Sequence, residues 1–167
     1  MWDDQTIMML LEGTRDTLYM TLVSTFFGYV LGLPLGILLA VTDKEGIRPN
    51  APLYKILDVI VNILRSIPFL ILLILVIPLT NLIVGQSYGS SATIVPLVIA
   101  AAPFIARMVE SSLKEVEPGV IEAAVSMGAG TGTIIWKVLL AEARTSLLVG
   151  VTIAVGTILG YSAMAGT

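Results

Sequence analysis

The chain has 167 residues, 56% hydrophobic and 13% charged, with a mean hydropathy of +0.96. A water-soluble domain of this length would need far more polar surface, so the composition defines an integral membrane protein. The formal charge of −3 without a basic run argues against a nucleic-acid partner, and the absence of Cys and His excludes disulfide frameworks, thiolate metal sites and imidazole catalysis.

The opening MWDDQTIMMLLEGTRD is not a secretory signal, because Asp3 and Asp4 stand where a signal is basic. The first apolar stretch is therefore expected to be retained. Residues 17–42 carry no charge. At ~1.5 Å per residue they cross a hydrocarbon core of ~30 Å with some tilt, which makes them span 1. Gly28, Gly32 and Gly36 recur every four residues on one helical face. Such a flat face lets a second helix approach closely where lipid supplies no hydrophobic drive. Pro34 is expected to bend this helix or end a regular stretch of it.

A polar loop with Asp43, Lys44, Glu45, Arg48, Pro49 and Pro52 follows. Lys55, Asp58, Asn62 and Arg65 then form one polar stripe of a helix, opposite Ile56, Val59, Ile60 and Ile63. This segment is expected at the membrane surface or at the start of a span within protein, with Arg65 reaching toward headgroups. Its stripe reads as a solvated face, with a regulatory surface as the alternative.

Residues 66–106 contain no charge, and the middle, TNLIVGQSYGSS, is polar and turn-rich. The pattern predicts a hairpin of span 2 over 67–84 and span 3 over 91–106. Pro68, Pro78, Pro96 and Pro103 fall in or at the edges of these spans and free backbone carbonyls that need protein or water partners. Charge returns over 107–144, and span 4 is predicted over 145–164. Gly150, Thr152, Gly156, Thr157, Gly160, Tyr161 and Ser162 suit that helix to close packing or to lining a pathway.

Lys44, Arg48, Lys55, Arg65, Arg107, Lys114, Lys137 and Arg144 flank spans 1/2 and 3/4, whereas the 2/3 turn holds no Lys or Arg and the N-terminus only Arg15. The positive-inside rule then puts the N-terminus and the 2/3 turn outside and the 107–144 segment in the cytoplasm.

That segment contains IEAAVSMGAG. Glu117-Pro118 favours a helix start and Gly128 a helix end, so a short helix is predicted over 118–127. Glu122, Ser126, Gly119 and Ala123 share one sector; Val120, Ile121, Ala124, Val125 and Met127 fill the rest. Thr131 or Thr133 can cap the next helix. The short helix cannot cross the membrane, and it is too apolar for a solvent-facing connector. It either lies flat on lipid or docks into a partner's groove.

EAAVSMG followed by IIWKVLLAEA resembles the EAA loop of the permease subunits of bacterial type I ABC importers. The match carries Glu122, Ala123, Ala124 and Gly128 onto the family motif; Val120, Ile121 and Met127 complete the implied ATPase-coupling contact. TLVSTFFGYVLGLPLGILL, RSIPFLILL, AAPFIARMVE and GYSAMAG extend the likeness along nearly the whole chain, most closely to permeases of methionine importers. Ala141 stands where that family usually has proline, and the family has a fifth span where this chain stops at Thr167, so it reads as a fragment. The resemblance implies a homodimeric permease, two ATP-binding subunits that hold ATP and Mg²⁺, an extracytoplasmic substrate-binding protein and an amino-acid substrate. It implies no cofactor, metal or covalent chemistry in this chain. A P-loop, G-x-x-x-x-G-K-[ST], is absent.

The expected fold is thus all-α integral membrane, four transmembrane helices with short cytoplasmic coupling helices, in one permease domain over 1–167 with its coupling loop at about 107–144, in a bacterial inner membrane. Gly28, Gly32, Gly36, Gly156, Gly160 and Ser162 are the expected packing or pathway residues. The rivals are a stand-alone secondary transporter or channel, which would usually carry ionisable groups mid-membrane, and a non-transporting scaffold.

Overall fold

The computed structural model describes residues 3–165. The first two residues and the final Gly166-Thr167, which include the last glycine of GYSAMAG, lie outside them. The described residues are all-α: α1 Asp4–Thr42, α2 Ala51–Ser66, α3 Phe69–Leu75, α4 Ile77–Val84, α5 Ser90–Lys114, α6 Pro118–Ser126, α7 Thr131–Thr133, a π-helical run Ile134–Leu139, α8 Leu140–Glu142 and α9 Arg144–Met164. Among them, α1, α5 and α9 are long and apolar enough to cross a membrane, and α2 with α3 makes a fourth candidate bent by 101°.

The helix of span 1 starts earlier than the charge pattern predicts. Asp3 caps it, accepting from the Thr6 amide at 2.9 Å, and Asp4 complements the positive end of the helix. At 39 residues α1 is about 58 Å long, well beyond a ~30 Å hydrocarbon core. Pro34 does not end it. The flanking Gly32 and Gly36 are pressed against α5, which holds the helix together across the lost hydrogen bond.

The α1–α5 pair is the spine of the fold. The two helices run in the same direction: Asp16 accepts from the Ser90 hydroxyl at 2.7 Å at one end, and Asp43 pairs with Lys114 at the other. Between these ties the glycine stripe sets the distance. A Cβ on Gly28 would lie 3.0 Å from Ile105 Cδ1; on Gly32, 2.7 Å from the Ala102 carbonyl; on Gly36, 2.5 Å from the Ala106 carbonyl. Met20, Leu97, Ala101, Ile105, Val109 and Leu113 fill the resulting core. Helix α9 closes it with Gly150, Ala154, Ile158 and Ser162, four residues apart on one buried face. Phe69 stacks on Tyr161 with ring centroids 4.6 Å apart, and Ser112 hydrogen-bonds Ser146 at 2.9 Å.

Two segments depart from expectation. Span 2 is not one helix. It breaks at Val76 into α3 and α4, since Pro78 has no N–H to continue the ladder, and α3 itself begins after Pro68. Helix α2 is turned inside out relative to a soluble helix: Ile56, Val59, Ile60 and Ile63 are exposed, while Asp58 and Asn62 face Arg107 of α5. Asp58 is therefore partly enclosed in a contact with Arg107 rather than lying on a solvated face, and Asn62 reaches the same guanidinium from an exposed position; Lys55 and Arg65 stay on the outside.

Candidate coupling site

Helix α6 forms because Glu117 sits in extended backbone and Pro118, already at helical φ, takes the first turn, where its missing N–H costs nothing. It ends in a Schellman motif. The Gly128 amide donates to the Val125 carbonyl at 2.9 Å and the Ala129 amide to the Ala124 carbonyl at 3.0 Å, with Gly128 at φ +78°. Only a residue without Cβ takes that turn cheaply. The next helix has Gly130 as its N-cap with no side-chain bond. Thr131 and Thr133 lie inside the helix rather than capping it, because the extended backbone comes one residue earlier.

The helix is seated by one edge. Ala124 is 5% exposed and joins the buried cluster that holds Leu113, Val116, Ile134 and Leu139, with Ile121 half-buried against it. Glu122, Ala123, Val120, Val125, Met127 and Gly128 face outward, Met127 at 81% exposure. The sequence-predicted coupling residues thus divide into a seat (Ile121, Ala124) and an outward surface that is small or apolar apart from Glu122. Val125 belongs to that surface and the motif match omitted it.

Beneath α6 lies a cavity of about 280 Å³, lined by Ile121 and Glu122 together with Asp43, Glu45 and Gly46 of the α1–α2 loop and Lys114 of α5. The Lys114 ammonium bonds Asp43 and holds its carboxyl below the ordinary carboxylate range, although burial pushes the other way. The loop turns sharply here: a Cβ on Gly46 would strike the Val41 carbonyl.

A set of residues that sequence reasoning missed surrounds Lys114. Arg107 pairs with Asp58 and, at 2.6 Å, with Glu110; Glu110 also takes Lys114 at 2.7 Å and the Tyr54 hydroxyl at 3.0 Å. Glu110 is 4% exposed. The signal was present as Arg107, Glu110 and Lys114 at three- and four-residue spacing, one stripe of a helix.

The packing residues separate as well. Gly28, Gly32 and Gly36 meet α5, and Ser162 is buried with its hydroxyl donating to the Leu159 carbonyl at 2.8 Å. Gly156 and Gly160 are open, with nothing within 4 Å of a Cβ placed on them. Gly150, named with them as suited to close packing or a pathway, lies under Met108 Cε and Tyr29. The missing proline at Ala141 does not straighten the chain into a single regular helix: a turn at Ala143 separates α8 from α9, and helical hydrogen bonds run through it at 2.9 Å on either side.

A parallel, glycine-packed helix pair thus leads into a short helix ended by glycine, the arrangement that the resemblance to importer permeases implies. Residues 32–167 match the family described as binding-protein-dependent transport system inner membrane component, and the chain belongs to that family. Within it, the D-methionine transport system permease protein MetI of Escherichia coli K12 is 54% identical over 158 residues, which is 95% of this chain and 73% of that protein. MetI of Salmonella typhimurium is 54% identical over the same shares. A solved structure described as inward facing conformations of the MetNI methionine ABC transporter matches with a TM-score of 0.97 at 52% identity, over 99% of this chain and 76% of that chain.

Proposed function

We propose that this chain is the membrane-spanning permease subunit of an ATP-driven ABC importer whose substrate is an amino acid, methionine. It works as one of two copies, with two ATP-binding subunits on its cytoplasmic face and a substrate-binding protein outside. The observation that carries this reading is α6: a short helix held by one edge, presenting Val120, Ala123, Val125 and Met127 outward, in a chain of the importer-permease family. Small side chains admit close approach of a partner's groove, and Glu122 anchors one edge of the contact. The N-terminus lies outside and the 107–144 segment inside, following the Lys/Arg distribution.

The chain catalyses no bond change of its own; ATP and Mg²⁺ belong to the partner. ATP drives the cycle only if it binds the assembly better in the outward-facing state than in the inward-facing one. A complete swing of the population, from 1:99 to 99:1, requires about 5.5 kcal/mol of differential binding. Closure of the ATPase dimer draws the two α6 helices together and turns the cavity outward. Gly156 and Gly160, open in the single chain, are assigned to the pathway or to packing on the second copy.

The test is reconstitution. The chain is co-expressed with a methionine-importer ATPase subunit, purified by a tag on the permease, and placed in liposomes with the binding protein. Copurification of the ATPase and ATP-dependent uptake of labelled methionine are expected. A permease that neither retains the ATPase nor imports any amino acid with ATP refutes the assignment.

A further inference from the structure

The charges around Lys114 alternate in sign through three elements: Asp58 on α2; Arg107, Glu110 and Lys114 on α5; and Asp43 after α1. Asn62 adds an acceptor for Arg107 at 2.9 Å, and Tyr54 donates to Glu110 while its ring lies 5.5 Å from the Lys114 ammonium. Buried ion pairs are a poor source of net stability, because desolvation offsets attraction. The α1–α5 pair is in any case already packed through its glycine stripe and tied by Asp16 and Ser90. What a satisfied network of this kind supplies is fixed relative geometry.

Its location says for what. Lys114 ends α5, and residues 115–117 alone separate it from α6. On either side of it, Leu113 and Val116 belong to the same buried cluster as Ala124 of α6, and they line one cavity with Ile121. Asp43 and Lys114 line the same cavity as Ile121 and Glu122. We propose that this relay is a clamp that joins α1, α2 and the last two turns of α5 into one mechanical body with the seat of α6. A displacement of α6 then reaches α1 and α2 undiminished instead of being absorbed by bending the end of α5. Asp43, Asp58, Arg107, Glu110 and Lys114 are positioning residues in this scheme. The consequence for transport rests on the importer reading, whereas the clamp is a property of the chain itself.

Two measurements keep these apart. The protein has no Cys, so spin labels at Lys55→Cys on α2 and Ser126→Cys on α6 report one distance when labelled chain is diluted with unlabelled chain. The parent protein should give a narrow distribution in liposomes, with or without the ATPase subunit, Lys114→Met a broadened one, and Lys114→Arg a narrow one again. In liposomes, substrate imported per ATP hydrolysed should fall about five- to tenfold in Lys114→Met with ATPase association intact, the scale of a coupling change carried by a packed network. Lys114→Arg should restore it. If Lys114→Met does not assemble, Glu110→Gln, equal in size and neutral, replaces it in both assays. A narrow distribution in the neutralised variant overturns the clamp. A broadened distribution with an unchanged ratio overturns its part in transmission. A parent protein that does not transport sinks the importer reading and leaves the distance measurement to decide the clamp.

Discussion

Replacing Gly36 by alanine is the sharpest probe of the α1–α5 spine. The added methyl would lie 2.5 Å from the Ala106 carbonyl and 2.6 Å from Val109 Cβ, where an ordinary contact begins at 3.4 Å. The nearest obstacle is backbone, so it cannot rotate away, and the helices must part by roughly 0.9 Å at that level. A gap of about 0.5–1 Å forfeits a quarter to a half of each dispersion contact around it. Overpacking of this kind costs about 1–3 kcal/mol. Gly13 provides the control, being exposed on the same helix with nothing within 4 Å of its would-be Cβ. Alanine is favoured over glycine by about 1 kcal/mol in a helix, so Gly13→Ala should be neutral or stabilising. Gly36→Ala should instead lower stability, and Gly32→Leu should lower it further and reduce transport. Reversible unfolding of the detergent-solubilised protein by a denaturing detergent reads all three. Equal midpoints for Gly13→Ala and Gly36→Ala would refute the close approach.

Topology is checked by introducing Cys at Ser87 or Ser126 and treating intact cells with a membrane-impermeant thiol reagent; Ser87→Cys should react and Ser126→Cys should not, and the reverse pattern inverts the orientation. Gly128→Val forces a β-branched residue into φ +78°, at a cost of about 1–2 kcal/mol or more. It should leave the permease in the membrane with weakened ATPase association and lost uptake, as should Glu122→Lys; full retention of both functions in both variants would return α6 to a lipid-surface role. Because Lys114 lowers the Asp43 pKa from 3.8, that contact contributes stability present above pH 3.8 and lost as pH falls through the depressed value. Acid melting curves of the parent and Asp43→Asn proteins should therefore differ at pH 7 and converge at the acid end, and a constant difference at every pH would refute the pairing.

Charge-free length made α1, α5 and α9 legible in the sequence, because nothing else in a chain lets residues 17–42 go without a charge. The glycine stripe was legible as a surface, and the structure supplies its partner, α5. Gly128 was legible because a left-handed turn narrows the choice of residue so far. The inverted face of α2 was not. A period of three and four residues says which side chains share a stripe, and says nothing about whether that stripe meets water or an arginine on a helix made 45 residues later, as Asn62 meets Arg107. The network around Glu110 was hidden for the same reason: its members come from three elements, and the spacings within α2 and within α5 do not say that the two stripes face each other. The break at Val76 was hidden because Pro78 reads equally well as a tolerated residue inside a longer span.

The order of synthesis gives the glycine stripe of α1 a vulnerable period. Its partner surface ends at Lys114, 72 residues after Thr42 leaves the ribosome. At roughly 5–20 residues per second the stripe waits about 4–14 s before α5 exists to cover it. Throughout that time a narrow, flat strip of backbone lies open to lipid, to the insertion machinery and to the same strip on a neighbouring nascent chain. Asp58 and Asn62 of α2 wait about two thirds as long for Arg107, which follows them by 49 and 45 residues. Biogenesis of this permease is therefore ordered by α5: until it arrives neither of its partners is finished, and once it arrives both close on it together.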